Sequence, residues 1–189
     1  MDTKLGNPHT VTIRLARSEE LSRLREIEDE AAQLFSGLNL LDESRDESFA
    51  ERILANLIAR GQVWVCCIGD SGPIGMIIVS VWEHAVYIEE MDVVPAYGRQ
   101  GLGTRLLSHV CAWAASEGHD RILLSTFADI PWNGPFYRKN GFSFVSESAW
   151  SERMQLIRDE ETRRGLDVSA RAFMEKHVLP ESHRRLVTE

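Results

Sequence analysis

The chain has 189 residues, a formal net charge of −8, 43% hydrophobic and 26% charged residues, which suits one globular domain with a core of its own. The negative charge disfavours nucleic acid as a partner, and no apolar run approaches the ~20 residues of a membrane span. Three cysteines without CxxC or Cys/His metal spacing read as buried thiols in a reducing compartment, so the sequence predicts a cytoplasmic protein with no membrane attachment and no metal.

In chain order, "VTIRLAR" (11–17) alternates and is β-branched, which predicts a first strand. Ser18 can cap a helix over 19–35 whose apolar face is Leu21, Leu24, Ile27, Ala31 and Leu34. After a polar stretch, a second helix covers about 47–60, with Phe49, Ile53, Leu54 and Leu57 on its stripe. "VWVCCI" (63–68), "IGMIIVSVW" (74–82) and "AVYIEEMDVV" (85–94) read as three successive antiparallel strands. A helix follows from Leu102 to about Glu117, then a strand at 121–127, a short helix at "GPFYRKN" and a strand at 142–146. Residues 150–164 are helical, and 169–179 fit either a helix or a strand. No composition break marks a domain boundary, so residues 1–189 are expected to form a single domain, with a core over about 10–147 and a C-terminal helix and last element over 150–179.

The stretch "VVPAYGRQGLGTRLL" (93–107) stands apart. From Val93 to Ser116 there is no Asp or Glu, although the chain is acidic overall. A strand ends at a proline, close-set glycines follow, and a helix begins. Such a helix start offers unpaired N–H groups and partial positive charge, and glycine admits a ligand close to the backbone. That combination is an anion site, most often for phosphate. The P-loop pattern GxxxxGK[ST] is absent, and Gly101-Leu102-Gly103 lacks the third glycine of a dinucleotide fingerprint.

The turn resembles the pyrophosphate loop [Q/R]-x-x-G-x-[G/A] of the GNAT N-acetyltransferases, here Gly98-Arg99-Gln100-Gly101-Leu102-Gly103. The first position holds Gly98 rather than Gln or Arg, as if the family's common "RGQG" were transposed to "GRQG". "PWNGPFYRKNGF" (131–142) is similar to the family's Asn…Tyr…Gly-Phe segment, and the order β-α-α-β-β-β-α-β-α-β is that of the fold. The resemblance implies an α/β fold with a mixed, mostly antiparallel sheet splayed between strands four and five and flanked by helices. It also implies acetyl-CoA as cosubstrate. Val93 and Val94 would pair with the pantetheine arm. The N–H groups from Arg99 through Gln100, Gly101, Leu102 and Gly103 to Thr104 would hold the pyrophosphate. Asn133 would bond the arm from the other side, and Tyr137 would protonate the leaving thiolate. Asn133 also suits a plain helix cap, and Tyr137 also suits a core aromatic beside Phe136 and Phe142.

A protonated amine must lose a proton before it attacks a thioester. "YIEEMDV" supplies Glu89 and Glu90 inside an apolar strand, and the slip of alternation between Ile88 and Met91 is consistent with a β-bulge. The segment looks like "YLEDFFV" of the diamine acetyltransferases, which ranks Glu89 as base and Glu90 as amine contact. Two solvent-facing acids are the other reading. The implied activity is direct acetyl transfer in a ternary complex to a primary amine of a small molecule or peptide. A non-catalytic acyl-CoA-binding module is the alternative. The acceptor's identity, the acyl preference and homodimer formation stay open at this level.

Overall fold

The computed structural model describes residues 10–36, 38, 47–69 and 71–178. Among the described residues seven strands make one sheet: β1 (Val11–Leu15), β2 (Val63–Ile68), β3 (Gly75–Val81), β4 (Ala85–Val93), β5 (Arg121–Phe127), β6 (Ser143–Phe144) and β7 (Arg171–His177). Their order is β1-β2-β3-β4-β5-β7-β6. The helices are α1 (Leu21–Ala32), α2 (Glu47–Ala59), α3 (Leu102–Ser116), α4 (Gly134–Lys139) and α5 (Glu152–Arg163). β1–β2, β2–β3, β5–β7 and β6–β7 are antiparallel, and β4–β5 is parallel. This is the mixed, mostly antiparallel α/β arrangement that the sequence implied. The parallel pairs run over Ala85–Ile88 and Arg121–Leu124, while β4 itself continues to Val93 and β5 to Phe127.

Two hydrogen bonds fix how β3 meets β4. Trp82 N–H donates to Ala85 O at 2.8 Å across the Glu83–His84 turn, and Val94 N–H donates to Ile74 O at 2.9 Å. Between these bonds β3 supplies residues 75–81 and β4 supplies residues 86–93, one residue more. An antiparallel pair absorbs one extra residue as a β-bulge, in keeping with the slip of alternation in "YIEEMDV".

The chain divides into two compact units. In the first, which draws on residues up to Leu34, Asp46–Ser80 and Glu89–Val110, α1 and α2 cover one face of β2 and β3. Leu24, Ile27, Leu54 and Ile58 from the helices meet Val63, Val65, Cys67, Met76 and Ile78 from the strands. Leu24 and Ile27 are fully buried, and each such side chain contributes about 1.5–3 kcal/mol of transfer free energy. The second unit draws on Phe35–Arg45, Val81–Ile88 and Cys111 onward. There α5 lays Met154 and Ile157 against Ala85, Tyr87, Leu123 and Phe173. Ser151 caps α5, its hydroxyl accepting from Met154 N–H at 3.3 Å.

Several sequence expectations shift. Ser18 is not a helix cap: it lies inside a 3-10 turn, and the Glu20 carboxylate takes the Arg17 N–H at 2.9 Å instead. Leu34 and Ile53 were expected on apolar faces but are 43% exposed, because α1 gives way to a 3-10 turn at Gln33 and the buried stripe of α2 runs through Leu54 and Ile58. The ambiguous 169–179 segment is strand β7 over Arg171–His177. Its edges are paired by β5 and β6, and the consecutive Phe173 and Met174, which point to opposite faces, are both fully buried, so both faces are covered there. That removes the alternation by which a half-buried strand is recognised. The Phe49 side chain and residue 179 lie outside the described residues.

Candidate active site

The glycine turn begins where β4 ends. Val93 is half-buried, and Val94 is buried and tied to Ile74. Pro95–Tyr97 make one 3-10 turn, after which Gly98 is extended at φ −60° and ψ 159°. Arg99 then takes φ 57° and Gly101 φ 79°, both left-handed. The first bond into α3 runs from Arg105 N–H to Gly101 O at 3.0 Å. No backbone acceptor is recorded among the described residues for the N–H groups of residues 99–104. A methyl group built on Gly101 would meet nothing within 4 Å. The first turn of α3 carries no acid. Unbonded N–H groups, left-handed turns and a helix start make an anion-binding concavity, and residues 98–101 are exposed to receive a ligand.

Position 98 departs from the expected loop in an informative way. Gly98 has no need of glycine's freedom, and a Cβ there would lie 3.0 Å from Pro95 O. The left-handed position is 99, where this chain carries Arg. A left-handed non-glycine residue costs about 1–2 kcal/mol.

In the same unit, Glu89 on β4 accepts a hydrogen bond from the Ser80 hydroxyl at 2.5 Å. Ser80 lies on the sheet face of Met76 and Ile78, the face that α1 and α2 cover. The Glu89 carboxylate is therefore turned toward that helix-bearing face, and its residue is exposed while Glu90 is half-buried. Ser80 was not readable from the sequence as a partner of Glu89. Finding it requires the hairpin register and the extra residue in β4.

Asn133 and Tyr137 belong to the second unit. Asn133 precedes α4, and its side chain makes no cap hydrogen bond, so capping is not its task. Tyr137 is buried, edge-on to Phe136 at 5.2 Å and to Phe142 at 5.5 Å. Gly134 opens α4 so close to the chain before it that any Cβ there would collide with the Ala128 carbonyl. Only glycine lets Asn133 and Tyr137 sit where they do.

The remaining reactive groups fall away. Burial pushes the Cys66 thiol up to about 12 and raises Cys67 and Cys111 as well, which leaves no ready thiolate. His84 is on an exposed turn, with Glu83 at 3.9 Å. His109 stands edge-on to Trp64 at 6.1 Å, and burial lowers its pKa. It borders an open cavity of about 540 Å³ with Val11, Ile13, Thr104, Arg105 and Ser108. Among the described residues no group of His, Cys, Asp and Glu could hold a metal ion, and no helix is long and apolar enough to cross a membrane.

Residues 21–142 match the model of the acetyltransferase (GNAT) family, a span that includes the glycine turn, Glu89, Glu90, Asn133 and Tyr137. Among solved structures, the N-acetylglutamate synthase of Neisseria gonorrhoeae with coenzyme A and N-acetyl-glutamate is similar at 19% identity and a TM-score of 0.67, over 91% of this chain and 36% of that one. The PaiA N-acetyltransferase of Thermoplasma acidophilum with coenzyme A gives 19% and 0.67, over 89% of this chain and 99% of that one. The ribosomal-protein-S18-alanine N-acetyltransferase of Escherichia coli gives 17% and 0.62, over 90% and 95%. The chain thus spans about a third of the synthase and nearly all of the other two.

Proposed function

The chain belongs to the acetyltransferase (GNAT) family, whose acyl donor is acetyl-CoA, and from that premise we propose that it is a cytoplasmic N-acetyltransferase acting on a primary amine of a small molecule or peptide. Both compact units are read as one acetyltransferase domain, because the family match runs through both of them. The observation that carries the reading is the turn at 98–104, where unbonded N–H groups, the open space at Gly101 and the absence of acids coincide. Coenzyme A bound in two similar structures supports it, as does the third being an alanine N-acetyltransferase.

The proposed chemistry is direct transfer. Acetyl-CoA brings the thioester. The N–H groups of residues 99–104 hold its pyrophosphate, Val93 and Val94 offer backbone to the pantetheine arm, and Asn133 adds a side-chain bond to it. Glu89, oriented by Ser80, takes the proton that the amine must lose, through a water molecule. Glu90 contacts the cationic form of the acceptor. The amine nitrogen then attacks the carbonyl carbon, the C–S bond breaks, and Tyr137 gives its proton to the departing thiolate. Backbone N–H groups of β4 would stabilise the oxyanion.

Calorimetry with acetyl-CoA, followed by a thiol-release assay over a panel of amines, tests this. The expected result is acetyl-CoA binding and acceptor-dependent thiol release with the acetylated amine as product. A folded protein that binds no acetyl-CoA, or that releases thiol only by hydrolysis with every amine, would refute it.

A further inference from the structure

The second unit buries an ionic cluster that the mechanism above does not use. Glu161 on α5 lies between two guanidinium groups, Arg158 on α5 and Arg171 on β7, with side-chain exposures of 7%, 13% and 14%. Arg171 Nε donates to Glu161 Oε1 at 2.9 Å, and its Nη2 donates to Ser125 O at 3.0 Å. Arg158 Nη1 reaches Glu161 Oε2 and Val168 O, both at 3.1 Å, and Nη2 reaches Arg171 O at 3.2 Å. Two cations thus share one carboxylate. Of the other acids nearby, Glu160 is engaged with Arg163, Glu175 with Arg121, and Asp167 with Ser169. Arg158 Nε and Glu161 Oε2 are each buried without a hydrogen-bond partner, the Arg158–Glu161 contact being an ion pair, and no partner is recorded for Arg171 Nη1 among the described residues.

A mostly buried surplus cation is costly unless an anion meets it. The cluster also has an apolar flank. Arg171 stacks over the Phe127 ring at 4.7 Å, Phe127 contacts Phe35 at 5.9 Å, and Phe35 contacts Trp132 at 6.0 Å. Trp132 is 43% exposed, so this aromatic row is open at its far end.

We propose that Arg171 is a specificity residue that binds the carboxylate of the acceptor, and that the Phe127–Phe35–Trp132 row receives the acceptor's apolar body. The substrate class is then an amino acid, or a molecule like one, with a free carboxylate and an apolar side chain. This rests on the transferase reading above and narrows it. A guanidinium held at Nε by Glu161 and at Nη2 by Ser125 O presents Nη1 to an incoming carboxylate in fixed orientation.

The test is calorimetry on the full chain in low-chloride buffer with coenzyme A present. The probes are N-acetyl-L-phenylalanine and N-acetyl-L-phenylalaninamide, and the corresponding leucine pair. A charged hydrogen-bonded contact corresponds to a preference of about 10- to 100-fold for the acid. Arg171→Gln should erase the preference, and Glu161→Gln should tighten acid binding by freeing guanidinium donors. Equal affinity for each acid and its amide, or binding of neither, overturns the proposal. The comparison on the unsubstituted chain needs no variant to fold. An acid preference without acetyl transfer leaves this site standing and removes the transferase reading. Acetylation of L-phenylalanine and L-phenylalaninamide alike, with no acid preference, does the reverse.

Discussion

Gly101→Ala separates the stability of the glycine turn from its binding role. Gly101 has φ 79°, and a methyl group there meets nothing within 4 Å. No steric collision enters, so the folded state loses only the torsional term, about 1–2 kcal/mol for an L residue in the left-handed region. Restricting the unfolded chain returns about 0.4–1 kcal/mol. The net loss of stability should be about 1 kcal/mol, a modest fall in the urea midpoint with an unchanged slope. Binding should fall much further if the proposed pyrophosphate lies against this turn, because the methyl group fills open space beside the backbone at Gly101. Gly101→Glu, which adds negative charge beside the same groups, should abolish it. Urea denaturation and calorimetry on the same preparations read the two effects separately. If Gly101→Ala lowers coenzyme A affinity by no more than its stability loss predicts, or if folded Gly101→Glu binds coenzyme A normally, the turn is an ordinary strand-to-helix connection.

Glu89→Gln should mainly lower kcat at neutral pH and Glu90→Gln should mainly raise the acceptor KM; pH–rate profiles that match the parent for both variants would take the pair out of the mechanism. Tyr137→Phe keeps the ring contacts with Phe136 and Phe142 and should change stability and coenzyme A binding little while turnover falls, by at most about 10²–10⁴-fold. Parental turnover with chemistry rate-limiting would make Tyr137 a packing residue. The Cys66 thiol, raised by burial to about 12, stabilises the fold fully below the unfolded value near 9 and loses that contribution as pH rises toward 12. Urea midpoints from pH 8 to 11 should therefore fall less steeply in Cys66→Ala than in the parent, and parallel curves would show that Cys66 contributes nothing there.

The sequence showed what depends on local pattern. Alternation located β1, helical periodicity located α3, and glycines closed most helices. It missed what depends on a covered second face or on register. β7 lost its alternation because both faces are packed, and the helical period could not be told from it. Ser80 became a partner of Glu89 only through the pairing of β3 with β4. Arg158 and Glu161 are an ordinary i,i+3 pair on α5, and only the packing of α5 against β7 adds Arg171 to them.

The order Gly98-Arg99 bears on how such a loop is read. The loop binds through backbone N–H groups, so what has to be preserved is the conformation, not the letters. Gly98 is extended and could carry a side chain only by yielding to Pro95 O. Arg99 carries the left-handed turn and its torsional cost. A cost of about 1–3 kcal/mol at one residue persists only where the surroundings over-determine the backbone. Here that surrounding is the fixed end of β4, held by Val94 to Ile74, and the start of α3, held by Arg105 to Gly101. With both ends pinned, the intervening N–H groups face the same way whichever of the two positions bears the glycine. The guanidinium of Arg99 is then a separate addition to the turn: it brings positive charge to the edge of a site whose geometry does not depend on it.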